Sequence, residues 1–176
     1  MNKLTSNIFT AIFLIITQVI IFNNINLFGY LNPFVYIVFV IYYPIKSDRI
    51  FFIFISFLMG LLIDIFSDTL GLHAAASVTI AYLRPIFLKI SFGQAYIHQV
   101  IKFKNIDLKD KVIYISLLSI IHHLVLFSLE IFSFSKTLFV LEKSLMSSIF
   151  TITACILFSY LFKTNERWEN HFYILQ

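Results

Sequence analysis

Charge is what this sequence has least of: Lys, Arg, Asp and Glu together make up 12% of 176 residues, about half the share of an ordinary soluble domain. So few charges cannot solvate a water-facing surface. Burial does not remove the difficulty, because a chain of this length still leaves roughly 30% of its unfolded surface exposed. Glycine (four) and proline (three) are also scarce. There is no Walker loop, no Gly-rich phosphate cradle and no Gly-x-Ser-x-Gly elbow, so nothing points to a nucleotide or to an acyl-enzyme hydrolase. The single cysteine, Cys155, lies inside the last apolar run, which excludes a disulfide framework and a Cys-ligated cluster. Neither a cofactor nor a metal is expected.

What the chain has instead is apolar bulk: 60% hydrophobic residues and 22 phenylalanines, with a mean hydropathy of +0.91. Apolar segments run over 7–22, 31–45, 50–67, 70–89, 112–134 and 144–162, and a helix crossing the hydrocarbon needs about 20 residues. The fold expected is an all-α integral membrane protein of about six transmembrane helices, one polytopic domain over residues 1–176. Lys3 and the run Ile8 to Phe22 have the look of a signal-peptide h-region, but Asn23-Asn24-Ile25-Asn26 follows with no small-x-small cleavage site, so a retained first helix is the preferred reading. The second segment is short, with Pro33 near its start and Pro44 near its end, and is expected to be tilted or only partly spanning. Segments three and four are joined only by Ser67-Asp68-Thr69 and must be antiparallel neighbours, with Gly71 supplying a permissive backbone.

Orientation follows from the positive-inside bias. With the N-terminus cytoplasmic, Lys3, Lys46, Arg49, Arg84, Lys89, Lys102, Lys104, Lys109, Lys111, Lys163 and Arg167 fall inside, and only Lys136 and Lys143 outside. Both termini are therefore expected in the cytoplasm. The connector 90–111 sets Tyr96, Ile97, Val100 and Ile101 beside Lys102, Lys104 and Lys109; it is either an interfacial amphipathic helix on the inner leaflet or an ordinary basic loop. The net charge of +4 reflects this bias, and no basic stripe with stacking aromatics suggests nucleic acid.

Ionisable groups at membrane depth are candidates for function. Asp64 lies fifteen residues beyond Arg49, about 22 Å along the helix, with Asp68 one turn on. It either forms a paired-carboxylate site for a cation or proton, or bonds to nearby backbone and fixes helix packing; the second is preferred. His122 and His123 come out about 17 Å past Lys111, and adjacent helical residues point too far apart to chelate one metal. Arg84 is expected to snorkel to the cytoplasmic interface or to pair with a carboxylate. Thr17 and Gln18 mark a packing face, and the small residues Ala74, Ala75, Ala76 and Ser77 permit close helix approach.

The run from Met59 to Ala74, with Gly60, Leu62, Asp64, Leu70 and Gly71 in it, resembles the G-x-L-x-D...LG motif of MreD, the bacterial rod shape-determining membrane protein family. Gln18, Pro33 and Tyr82-Leu83-Arg84-Pro85 are similar to features of that family as well. The resemblance implies a non-catalytic subunit of the cell-elongation machinery in the bacterial inner membrane, with an architecture similar to the substrate-binding S-components of small-molecule importers. It implies MreC, a bitopic protein, as partner, in a larger complex with the MreB filament, RodA and a class B penicillin-binding protein. Gly60, Asp64, Asp68 and Gly71 would shape the hairpin, and Ala75 and Ala76 would receive a partner helix. The alternative is a substrate-binding subunit of a vitamin-type importer, which needs a polar-lined cavity; few polar groups beyond Asp64, Asp68, His73 and Glu130 are expected to converge in the outer half. A third reading, an intramembrane hydrolase, needs Asp64 within hydrogen-bond reach of His122 or His123.

Overall fold

The structure is a computed structural model describing residues 3–26, 31–45, 47–97 and 106–163. Among these residues six α-helices follow in chain order: α1 (Lys3–Ile20), α2 (Val38–Tyr42), α3 (Arg49–Ser67), α4 (Leu72–Ile97), α5 (Leu108–Ile131) and α6 (Thr137–Lys163). Four stretches are helical, long and apolar enough to cross a membrane: Arg49–Ser67, Leu72–Tyr96, Leu108–Ile131 and Phe134–Tyr160. Among the described residues the protein is thus all-helical, with the long apolar helices of a multi-pass membrane protein.

Local chemistry sets the helix ends. Asp48 caps α3 by accepting from the Phe51 amide at 2.7 Å, and an Asp at that position suits the positive end of the helix dipole. Asp68 and Phe132 close α3 and α5 in the left-handed conformation, with φ of 56° and 39°, each returning its N–H to the carbonyl four residues back, on Asp64 and Ser128. Pro85 sits inside α4, which breaks only at Gly93 (φ 49°). α4 therefore runs on through the first part of the 90–111 connector. The connector's end, from Leu108, is already the first turn of α5, and residues 98–105 lie outside the described residues, as do Lys46 and Arg167.

The second segment departs most from the expectation of a transmembrane helix. Its helical part is one 3-10 turn, Val35–Ile37, followed by the five residues of α2, about 13 Å in length. Every residue from Pro33 to Ile41 is buried. Pro44 explains where it stops: the residue before a proline is pushed out of the helical region, and Tyr43 has ψ of 143°. The segment is thus a short rod inside the bundle. Helices α1, α3, α4, α5 and α6 pack in that order around it, each against the next, and α1, α4 and α6 touch the rod itself.

A rod this short leaves backbone groups unpaired at both ends, and with no water at membrane depth they must find partners within the protein. At its start, Gln18 Oε1 accepts from the Val35 and Tyr36 amides at 2.7 and 3.3 Å, while Gln18 Nε2 donates to Pro33 O at 3.1 Å. Thr151 of α6 accepts from the Phe34 amide at 3.0 Å. At its end, Arg84 Nη2 donates to the carbonyls of Ile41 and Tyr43, and Arg84 Nε donates to the Tyr114 hydroxyl, which itself donates to Ile41 O. Arg84 is 3% exposed. It turns inward to cap the rod and does not snorkel to the interface, and no carboxylate ion pair accompanies it among the described residues; the negative end of the rod's dipole and the Phe52 ring, 5.0 Å from its Cζ, take that place.

Outward faces are apolar. Ile8, Phe9, Ile12 and Ile16 of α1, and Leu138, Leu145, Ile149 and Leu157 of α6, are exposed at helical spacing, as lipid contact requires.

Arg84→Lys keeps the charge but loses the planar fork that reaches three oxygens. A loss of about 2–3 kcal/mol is expected from the carbonyls left unmet, read as a clear drop in the melting temperature of the detergent-solubilised protein. Arg49→Lys, at an exposed site where the bond to Tyr82 O at 3.3 Å and the contact with the Tyr82 ring are at stake, is expected to lose less, at most about 1 kcal/mol.

Candidate functional site

The motif residues meet at the α3–α4 hairpin. Gly60 lies where α3 crosses the first turn of α4: a Cβ added there would stand 2.5 Å from His73 O and 2.6 Å from the Ala74 Cα, a backbone clash that no side-chain movement relieves. Asp64, one turn on and 3% exposed, accepts from the His73 amide at 2.9 Å and the Ala74 amide at 2.8 Å, one on each oxygen, and from the Thr69 hydroxyl at 2.5 Å. One side chain of α3 thus caps the start of α4, placing negative charge at the positive end of a helix dipole. Gly71 takes φ of 94° to make the turn possible, and Leu70 joins it in the left-handed region at φ 51°.

The other named residues fall as follows. Asp68 is exposed at the tip of the hairpin, its carboxylate outside the bonds of the Asp64 side chain and only its amide returning to the Asp64 carbonyl. Ala76 is fully buried within the chain's own core and Ala75 only partly exposed, so the small residues first serve packing inside this chain. Asp64 has no hydrogen bond to His122 or His123, and the described residues hold no cluster of three metal-ligating groups.

Behind the hairpin lies a buried polar core. The Tyr36 hydroxyl joins His73 Nδ1 at 3.0 Å to His122 Nε2 at 2.5 Å. His123 Nδ1 faces Ser119 O at 2.7 Å and its Nε2 faces the Thr151 hydroxyl at 3.2 Å. A carbonyl only accepts, so His123 carries its proton on Nδ1. Phe34 sits among the three imidazoles, its ring centroid 5.0, 5.9 and 5.2 Å from those of His73, His122 and His123.

Above this core opens a cavity of 420 Å³, lined on its polar side by Asn23, Asn24, Asn32, Ser67, Thr69, His73, Glu130 and Lys143. Glu130 and Lys143 form an ion pair at 3.1 Å. The expectation that few polar groups converge at this end is thus corrected. Two of the eight, Asn23 and Asn24, come from the stretch between the first two segments and a third, Asn32, from the start of the second, where an Asn-bearing sequence reads as a loop and gives no sign of the wall it faces.

No family model matches the chain, and no curated protein and no solved structure shows significant similarity to it. What the site can do is therefore read from its geometry: it holds a helix hairpin rigid, and it leaves a polar cavity open at the same end of the bundle.

Gly60→Ala and Asp64→Asn are each expected to destabilise the protein by about 1–3 kcal/mol, the first by overpacking and the second by turning a donor toward a backbone N–H. Asp68→Asn, at a left-handed position that Asn tolerates, is expected to be close to neutral. Melting temperatures of the three variants in one detergent give the ranking.

Proposed function

We propose that this chain is a non-catalytic scaffold subunit of the bacterial cell-elongation complex, set in the cytoplasmic membrane with both termini inside, its chain crossing six times, the second time by way of the short buried rod and the non-helical residues at its ends. It would bind MreC and, through it, work alongside the MreB filament, RodA and a class B penicillin-binding protein. The observation that carries this reading is where the polar groups of the motif are spent. Both oxygens of Asp64 cap α4 and the donors of Arg84 cap the buried rod, so the polar groups behind the resemblance to MreD are spent on building a fixed shape. A rigid bundle with apolar outer faces suits a subunit that holds other membrane proteins in place.

The cavity of 420 Å³ favours a second reading, a substrate-binding subunit of a small-molecule importer, since its size falls within the range of about 300–1,000 Å³ usual for ligand pockets. Purification of the tagged protein from gently solubilised native membranes separates the two. Recovery of MreC and the elongation enzymes is the expected result. Recovery of an ATPase and a coupling subunit with a small molecule bound would overturn the scaffold reading in favour of the importer.

A further inference from the structure

The cavity has an inner wall whose hydrogen-bonding sense is fixed from behind. His122 is fully buried, and its Nδ1 has no partner among the described residues; an imidazolium there would be an uncompensated buried charge, so the ring carries one proton. Orphaned N–H groups are the rarer defect in folded interiors, so the nitrogen left unpaired is the bare one. The proton of His122 therefore sits on Nε2 and is donated to the Tyr36 oxygen, 2.5 Å away. Tyr36 then has its own proton to give; the buried Ser77 hydroxyl nearby makes no hydrogen bond among the described residues, and the acceptor in bonding geometry is His73 Nδ1 at 3.0 Å. With Nδ1 accepting, a neutral His73 carries its proton on Nε2. His73 is itself 4% exposed and lines the cavity, and Nε2 is the ring nitrogen not engaged with Tyr36.

From this chain of donors we infer that His73 presents an Nε2–H to the cavity, and that the cavity is a binding site for an uncharged molecule carrying a carbonyl acceptor beside an apolar or aromatic body. The carbonyl meets His73. The body packs on Phe34 and Phe127, which line the same space. Asn24 Nδ2 already donates to the Val19 and Ile20 carbonyls, so its Oδ1 is left as an acceptor, while Asn32, paired with Asn26 through one donor and one acceptor, keeps one Nδ2 hydrogen and one lone pair for the remaining polar atoms. Net charge is disfavoured because the cationic and anionic groups in the lining, Lys143 and Glu130, already neutralise each other at 3.1 Å, and Asp64 lies just behind the His73 backbone, so neither an anion nor a cation finds an unpaired counter-charge. This holds for a scaffold, where the ligand would regulate, and for an importer, where it would be cargo.

The test uses the full chain in lipid nanodiscs with 15N-labelled histidine, His73→Gln assigning the His73 signals. Long-range proton–nitrogen spectra are expected to give His73 as the Nε2–H tautomer. Titration with N-acetyl-L-phenylalanine amide is expected to move that signal saturably, with at least a tenfold weaker response to the anionic N-acetyl-L-phenylalanine and no saturable response to propylbenzene, which lacks the carbonyl. Tyr36→Phe removes the donor to Nδ1 and is expected to mix the two tautomers and weaken the amide probe several-fold. An Nδ1–H tautomer in the wild-type protein, no saturable shift with the amide probe, equal binding of propylbenzene or tighter binding of the anion would each overturn the proposal, whatever the behaviour of the Tyr36 variant.

Discussion

A backbone segment too short to span, held at membrane depth, must have each of its end groups met by other parts of the protein, and the rest of this fold is arranged around that requirement. The rod from Val35 to Tyr42 offers free N–H groups at one end and free carbonyls at the other. Hydrocarbon supplies partners for neither, and each unmet group costs several kcal/mol. Gln18 and Thr151 answer at the first end, Arg84 and Tyr114 at the second. These four side chains come from α1, α6, α4 and α5, so satisfying the rod fixes the relative positions of four helices. A buried arginine without a carboxylate would be an anomaly in most cores; here it is the element that closes the rod.

The hairpin uses the same device on a smaller scale. Asp64 of α3 caps α4 in place of a residue from α4 itself, and Gly60 lets the two backbones meet closely enough for that reach. His73 connects the two regions: its amide belongs to the hairpin cap, its ring to Tyr36 of the rod. The cavity exists because the rod starts below the ends of its neighbours, leaving a space that the Asn-bearing chain after α1, the hairpin and the α5–α6 end enclose.

Much of this is legible in the sequence, and what is not has identifiable causes. Composition alone places the chain in a bilayer, and the connection at Ser67–Thr69 makes α3 and α4 antiparallel neighbours, as found. Pro33 and Pro44 mark the second segment as short; that it is buried on all sides is hidden, since its Val, Tyr, Ile and Phe residues suit lipid equally well. The direction of Arg84 is hidden for a related reason: snorkelling and inward capping use the same residue at the same depth, and only the position of the rod decides between them. Gly60 reads as one more small residue until the α4 backbone is placed against it. The helix ends also shift, α6 beginning at Thr137, ahead of the expected 144, because Lys143 and Glu142 are tolerated near the membrane surface.

The central claim is that the rod's backbone, although not part of a spanning helix, is sealed by side chains from its neighbours. Hydrogen–deuterium exchange of the protein in nanodiscs, followed over the peptide containing Phe34, Val35 and Tyr36, tests it most directly. The account predicts exchange as slow as that of the centre of α5. Exchange as fast as an exposed connector would contradict it, because Gln18 and Thr151 would then not be holding those amides.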